Sequence, residues 1–201
     1  MILESIVLAS ASPRRLELLR SLSLDVRVEP SSYDEPDDPT APPRTLAIRH
    51  AAAKAREVQA RFPDDLVVAA DTVVDVDGVA LGKPRDRADA TRMLRALSGR
   101  THAVHTACAI AFPGRRDLIE EASTTAVRFY RLGDDEIDAY VASGEPMDKA
   151  GAYGIQGRAA SLVESIDGDF YTVMGFPLAR FVRSLRRLGF ALPTAKNHLN
   201  E

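Results

Sequence analysis

The run Leu66-Val67-Val68-Ala69-Ala70 constrains this chain more than any other feature. Five consecutive apolar residues fit a central strand covered on both faces. Asp71 follows at once, so the carboxylate is expected at the carboxyl end of that strand. Beyond it, Thr72-Val73-Val74-Asp75-Val76 and Val79-Ala80-Leu81 flank Asp77-Gly78, a strong hairpin turn.

The remaining segments alternate between strand and helix. Ile6-Val7-Leu8-Ala9 reads as a short buried strand that meets a helix start. Ser12 is a good N-cap, Pro13 suits the first helical position, and Leu16, Leu18, Leu19 and Leu22 supply an apolar face. Proline and acid cluster over 29–43, which predicts a loop. An alanine-rich helix follows over 46–62, with Leu46, Ala51, Ala55, Val58 and Phe62 on one face. Residues 89–98 read as a helix stopped by Gly99. Residues 101–112 and 122–132 are strand-like and joined near Pro113-Gly114, and 134–143 should be a helix ended by Gly144. Gly151, Gly154 and Gly157 punctuate a loop. Residues 161–166 and 170–174 flank Asp167-Gly168-Asp169 and read as a second hairpin. A last amphipathic helix is expected over 177–188, with a polar tail at 194–201 expected to fray. Alternating elements with inserted hairpins predict an α/β fold with a mixed sheet, not a purely doubly wound one.

Composition narrows the function. The 201 residues suffice for one sizeable domain or two small lobes. A formal net charge of -3 argues against wholesale nucleic-acid or anionic-membrane binding, so an anion site must be a local concentration of Arg and Lys. The single Cys108 excludes an intramolecular disulfide and a Cys-rich zinc site, and its apolar neighbours make it a small core residue. With no signal-type segment and no run of transmembrane length, the expectation is a soluble cytoplasmic protein.

The chemistry concentrates at a few places. Ser10-Ala11-Ser12-Pro13-Arg14-Arg15 places two arginines in the first turn of a helix, where the dipole disfavours cations unless an anion arrives. Two serines, two guanidinium groups and open N–H groups make a phosphate trap, although a solvated helix start reads equally well from these residues alone. Asp71 can hold a divalent metal, accept a proton from water, or merely cap a turn. Lys83, framed by Gly82 and Pro84, suits a phosphate or an exposed loop. Glu35 reads as loop solvation and Lys54 equally as a surface helix residue. Gln156, in Gly154-Ile155-Gln156-Gly157, carries both a donor and an acceptor, which suits a base edge. His102 and His105 lie three apart in a strand, hence on opposite faces, and read as structural. There is no nucleophile elbow, dinucleotide fingerprint or phosphate loop of the Walker type. Together the parts indicate a small nucleotide or polyphosphate site with direct attack by water.

These motifs resemble the Maf family of nucleoside triphosphate pyrophosphatases over nearly the whole chain, from about Ile6 to Leu178. The family's elements occur in order: Leu8-Ala9-Ser10-Ala11-Ser12-Pro13-Arg14-Arg15, Asp34-Glu35, Lys54, Ala70-Asp71-Thr72-Val73-Val74 and Gly82-Lys83-Pro84-Arg85-Asp86. Ser98-Gly99-Arg100-Thr101-His102, Gly144-Glu145-Pro146-Met147-Asp148-Lys149-Ala150-Gly151, the Gln156 loop and Val173-Met174-Gly175-Phe176-Pro177-Leu178 complete them. The resemblance implies one Maf-like domain over 1–201, elongated and two-lobed around a central cleft, and often a homodimer. It implies hydrolysis between the α and β phosphates, giving a nucleoside monophosphate and pyrophosphate with Mg²⁺ or Mn²⁺. Carried over, Asp71 is the general base, Glu35 an acid linked to metal and water, and both are metal ligands. Ser10, Arg14, Arg15, Lys54 and Lys83 bind the triphosphate. Arg14, Thr72 and Gln156 match the subgroup that prefers dTTP and UTP rather than 7-methyl-GTP. Thr172 departs from the family, which often has Asn before that Val, and Phe176 replaces a common Leu. The rival readings are a purine-directed house-cleaning pyrophosphatase and a non-catalytic nucleotide sensor or septum regulator.

Overall fold

The computed structural model describes residues 1–36 and 38–194. Its centre is a seven-stranded mixed sheet. Six strands run in the order β2 (Asp25–Val28), β1 (Ser5–Leu8), β3 (Val67–Val76), β5 (Thr101–Ala111), β6 (Leu118–Phe129) and β7 (Val163–Asp167), and β4 (Val79–Leu81) pairs with β3. β1 runs parallel to β2 and β3; the other pairs are antiparallel. The mixed α/β expectation agrees with this sheet. The expected fraying at the chain end concerns residues that, from 195 onward, lie outside the described ones.

Strand alternation sorts the core into two layers. Odd-numbered residues of β1, β3 and β5, among them Val7, Val67, Ala69, Ala107 and Ala109, pack under α2 (Pro43–Arg61). Even-numbered ones, Leu8, Val68, Ala70, Val74, Val104 and Ile110, face a larger layer. That layer holds residues of α1 (Pro13–Arg20), α3 (Arg87–Leu97), α4 (Asp134–Ala142), α5 (Phe170–Met174) and α6 (Leu178–Arg187). Ala47, Ala51 and Ala55 of α2 meet alanines of the sheet, and small residues on both sides let the helix lie close. Lys54 sits between Ala51 and Ala55 on this buried side, which aims a long cationic side chain back at the sheet.

Two sequence expectations are corrected. Asp71 does not end a strand: β3 continues through it to Val76, paired along its length with β5. What ends there is β1, paired with β3 only at Val7–Val67 and Leu8–Val68, while β4 joins the same edge only from Val74 onward. Between them, residues 69–73 have β5 on one edge and no named strand on the other, so the sheet has a gap. The second correction is the 170–174 segment, which is helix α5 and not the return strand of a hairpin. Asp169 caps it by accepting from the Thr172 amide at 2.8 Å and the Thr172 hydroxyl at 2.7 Å, and Gly175 closes it at φ 110.

Candidate active site

A cavity of about 730 Å³ opens at the gap in the sheet. Its lining brings together Ser10, Arg14, Arg15, Glu35, Lys54, Asp71, Thr72, Lys83 and Gln156, residues spread over almost 150 positions of sequence. Because Asp71 and Thr72 are neighbours on one strand, their side chains leave opposite faces. The gap lets one cavity reach both.

On the α2 face, Lys54 Nζ donates to Asp71 Oδ1 at 2.7 Å and lies 2.5 Å from Glu35 Oε1. Lys54 and Asp71 are only 8% and 5% exposed, so this is a buried ion pair with the exposed Glu35 as its outer member. Burial alone would push the Glu35 carboxyl up, but Lys54 outweighs it, helped by Lys83 and His50, and the group stays below its ordinary value. It is therefore a carboxylate at neutral pH. His50 lies one turn before Lys54 on α2, buried, with Nδ1 3.3 Å from the Tyr33 hydroxyl. His50 and Tyr33 line the cavity and were not among the expected site residues; the four-residue spacing of His50 and Lys54 on one helix face was the available signal.

On the opposite face, Arg15 donates through Nε to the Gly175 carbonyl at 2.9 Å, through one terminal nitrogen to Ser10 Oγ at 3.1 Å and through the other to Thr72 Oγ1 at 3.3 Å. Burial pulls this guanidinium below its ordinary value, against the attraction of Asp71 and Glu35. Ser10 Oγ also accepts from the Ser12 amide, and Ser12 occupies the N-cap position of α1 without a side-chain cap bond. Arg14 points elsewhere, toward Asp148 at 3.5 Å. Asp148 in turn accepts from Lys149 at 2.6 Å, and Lys149 also donates to the Glu145 carbonyl. These three residues line the cavity beside the exposed Gln156.

Two glycines are required here. Gly151 has φ +67, and a Cβ would stand 2.8 Å from a Val74 methyl, so the Gln156 loop can lie on β3 only without a side chain at that point. Gly175 has φ +110, and a Cβ there would approach Thr72 Oγ1 to 3.3 Å.

His102 and His105 face opposite sides, as expected. His102 Nε2 is 2.7 Å from the Tyr153 hydroxyl within a cluster of edge-on rings, and burial lowers its pKa to about 4. His105 bridges Thr124 at 2.8 Å and Asp75 at 3.1 Å. Among the described residues, no three His, Cys, Asp or Glu side chains converge as a ready metal site. The donor set fits a metal only in company: Asp71 and Glu35 can supply two carboxylates to a Mg²⁺-sized ion that takes its other ligands from phosphates and water.

Comparison with known proteins agrees with the motif order. Residues 5–188 match the family described as Maf-like protein. A dTTP/UTP pyrophosphatase of Anaeromyxobacter dehalogenans is 50% identical over 194 residues, covering 94% of this chain and 96% of that protein. Proteins of the same description from Koribacter versatilis and Thermococcus gammatolerans are 48% and 50% identical, covering 92% of this chain and 94% and 97% of their own lengths. With a family match over nearly its whole length and relatives of this similarity, the chain belongs to the Maf family.

Proposed function

We propose that this protein is a nucleoside triphosphate pyrophosphatase acting on dTTP and UTP, releasing the monophosphate and pyrophosphate. The observation that carries the reading is the Lys54 ammonium joining Asp71 and Glu35 inside a cavity that also holds Arg14, Lys83 and Lys149. Cations for a polyphosphate and carboxylates for a water molecule meet there, with no activated Ser or Cys beside them among the described residues.

In this reading, Asp71 takes a proton from water as its oxygen bonds to the α phosphorus. The bond from that phosphorus to the bridging oxygen breaks, and pyrophosphate leaves with the electron pair. Lys54 fixes the orientation of the Asp71 carboxylate through its 2.7 Å contact. Lys83, Arg14 and the first-turn amides of α1 neutralise the phosphate oxygens. Arg15 supports more than it binds, since three of its nitrogens already donate to Gly175, Ser10 and Thr72. Asp71 and Glu35 would hold Mg²⁺ or Mn²⁺ jointly with the substrate. Bound there, such a metal would make an attacking water easier to deprotonate and would offset charge on the leaving group. Thr72 and Gln156, away from the carboxylates, read the base.

The test is pyrophosphate release with Mg²⁺ across the canonical triphosphates, with the nucleotide product identified. UMP and dTMP with equimolar pyrophosphate are expected. Diphosphate plus orthophosphate would contradict the reading, and saturable binding without turnover would favour a nucleotide sensor.

A further inference from the structure

The hydroxyl groups behind Thr72 have a direction. Thr106 is directly opposite Thr72 in the β3–β5 register and is fully buried. Its Oγ1 lies 2.6 Å from the Thr172 carbonyl oxygen, and a carbonyl can only accept, so the single Thr106 proton is committed there. The contact between the two threonine hydroxyls, 3.0 Å long, must then be made with the Thr72 proton. A hydroxyl has one proton and two lone pairs. The Thr72 proton goes to Thr106 and one lone pair takes Arg15. The last lone pair is all that Thr72 has left to offer in the cavity, and Gly175 leaves the space beside that oxygen without a Cβ.

We propose that Thr106 is a positioning residue for base selection: it fixes Thr72 as an acceptor-only reader that requires an N–H donor on the base, as uracil and thymine have at N3. This rests on the functional reading above and adds to it the reason for the base preference. Cytosine presents a lone pair at N3, which an acceptor-only oxygen repels. Gln156 cannot make this distinction alone, because its amide can turn to present either oxygen or nitrogen. Thr72 cannot turn while Thr106 holds its proton. The order of the chain is thus Thr172 carbonyl, Thr106, Thr72, base, and it links helix α5 through two strands to the substrate.

The experiment is the ratio of kcat/KM for UTP over CTP in the wild type and three variants. A ratio measured within one preparation is insensitive to a loss of folded fraction. Thr106→Val frees the Thr72 hydroxyl to donate, so the ratio should fall by about tenfold toward unity. Thr106→Ser restores the hydroxyl and should hold the wild-type ratio. Thr72→Val removes the acceptor itself and should lower the ratio like Thr106→Val; if Thr106→Val does not fold, Thr106→Ala, which also lacks the hydroxyl, replaces it with the same expected fall. A ratio unchanged in either valine variant, or already near unity in the wild type, overturns the proposal while leaving the hydrolysis intact. Failure of the wild type to release pyrophosphate from UTP overturns the functional reading, and this proposal with it.

Discussion

The two faces of β3 carry different chemistry at adjacent residues. On the α2 side, Asp71, Lys54 and Glu35 form a charged triplet whose contacts are 2.7 and 2.5 Å. On the other side, Thr72, Thr106, Arg15 and the Gly175 carbonyl form a network of hydroxyls, one carbonyl and one guanidinium, with contacts of 2.9 to 3.3 Å. The first arrangement suits moving a proton; the second suits reading a shape and a donor pattern. One strand serves both because its side chains alternate and because the gap at residues 69–73 lets a ligand pass its edge. A position in the middle of a strand also gives both side chains a rigid backbone, which a loop would not.

Damage to one face should leave the task of the other intact. The largest effect is expected from Asp71→Asn, which keeps the shape of the carboxylate and removes its basicity. Turnover should fall about 10³-fold while dTTP binding, measured by calorimetry, changes little. Next is Lys54→Met, which leaves Asp71 buried without its cation. Urea unfolding should show a loss of about 4 kcal/mol, and the further substitution of Asp71 by Asn should recover part of it.

The recognition face can be probed by acid. The folded His102 has a pKa of about 4, below its ordinary value of 6.5, because burial disfavours its charged form. Between those two values the unfolded chain binds the proton and the folded chain does not. Stability is therefore full above about pH 6.5 and drains as pH falls toward 4, by up to roughly 3 kcal/mol. In His102→Phe that part of the pH dependence should vanish from thermal melts. An unchanged slope would move the cause to another group.

The smallest expected change is the most selective. Gln156→Glu should shift preference away from dTTP and UTP by about tenfold with little change in stability, since Gln156 is exposed on the cavity wall. An unchanged ranking across triphosphates would remove Gln156 from base reading.

Much of the fold was legible in local pattern. The apolar run at 66–70, the Asp77-Gly78 turn and the alanine face of α2 each carry their own periodicity or turn chemistry, and a strand, a hairpin and a helix formed there, although β3 runs on past Asp71 and α2 begins already at Pro43. The 170–174 segment did not, because Phe, Tyr, Thr and Val favour strands while the Asp169 cap and Gly175 stop decide for a helix. The site was less legible. Residues alone read Glu35 as loop solvation and do not decide between a surface and a site role for Lys54, since nothing local shows that α2 lies close enough to β3 for an ammonium to meet two carboxylates. Only the order of family motifs pointed to them. Thr106 carried no signal at all; its importance lies in a pairing across strands 34 residues apart. The gap in the sheet was likewise invisible, because it depends on where two other strands stop.

The measurement that tests the division most directly is the substrate ranking of Asp71→Asn across dTTP, UTP, CTP and the purine triphosphates. Turnover should fall by one common factor and the wild-type order should survive. A reordering of substrates would contradict the division, because the carboxylate on one face would then be selecting the base assigned to the other.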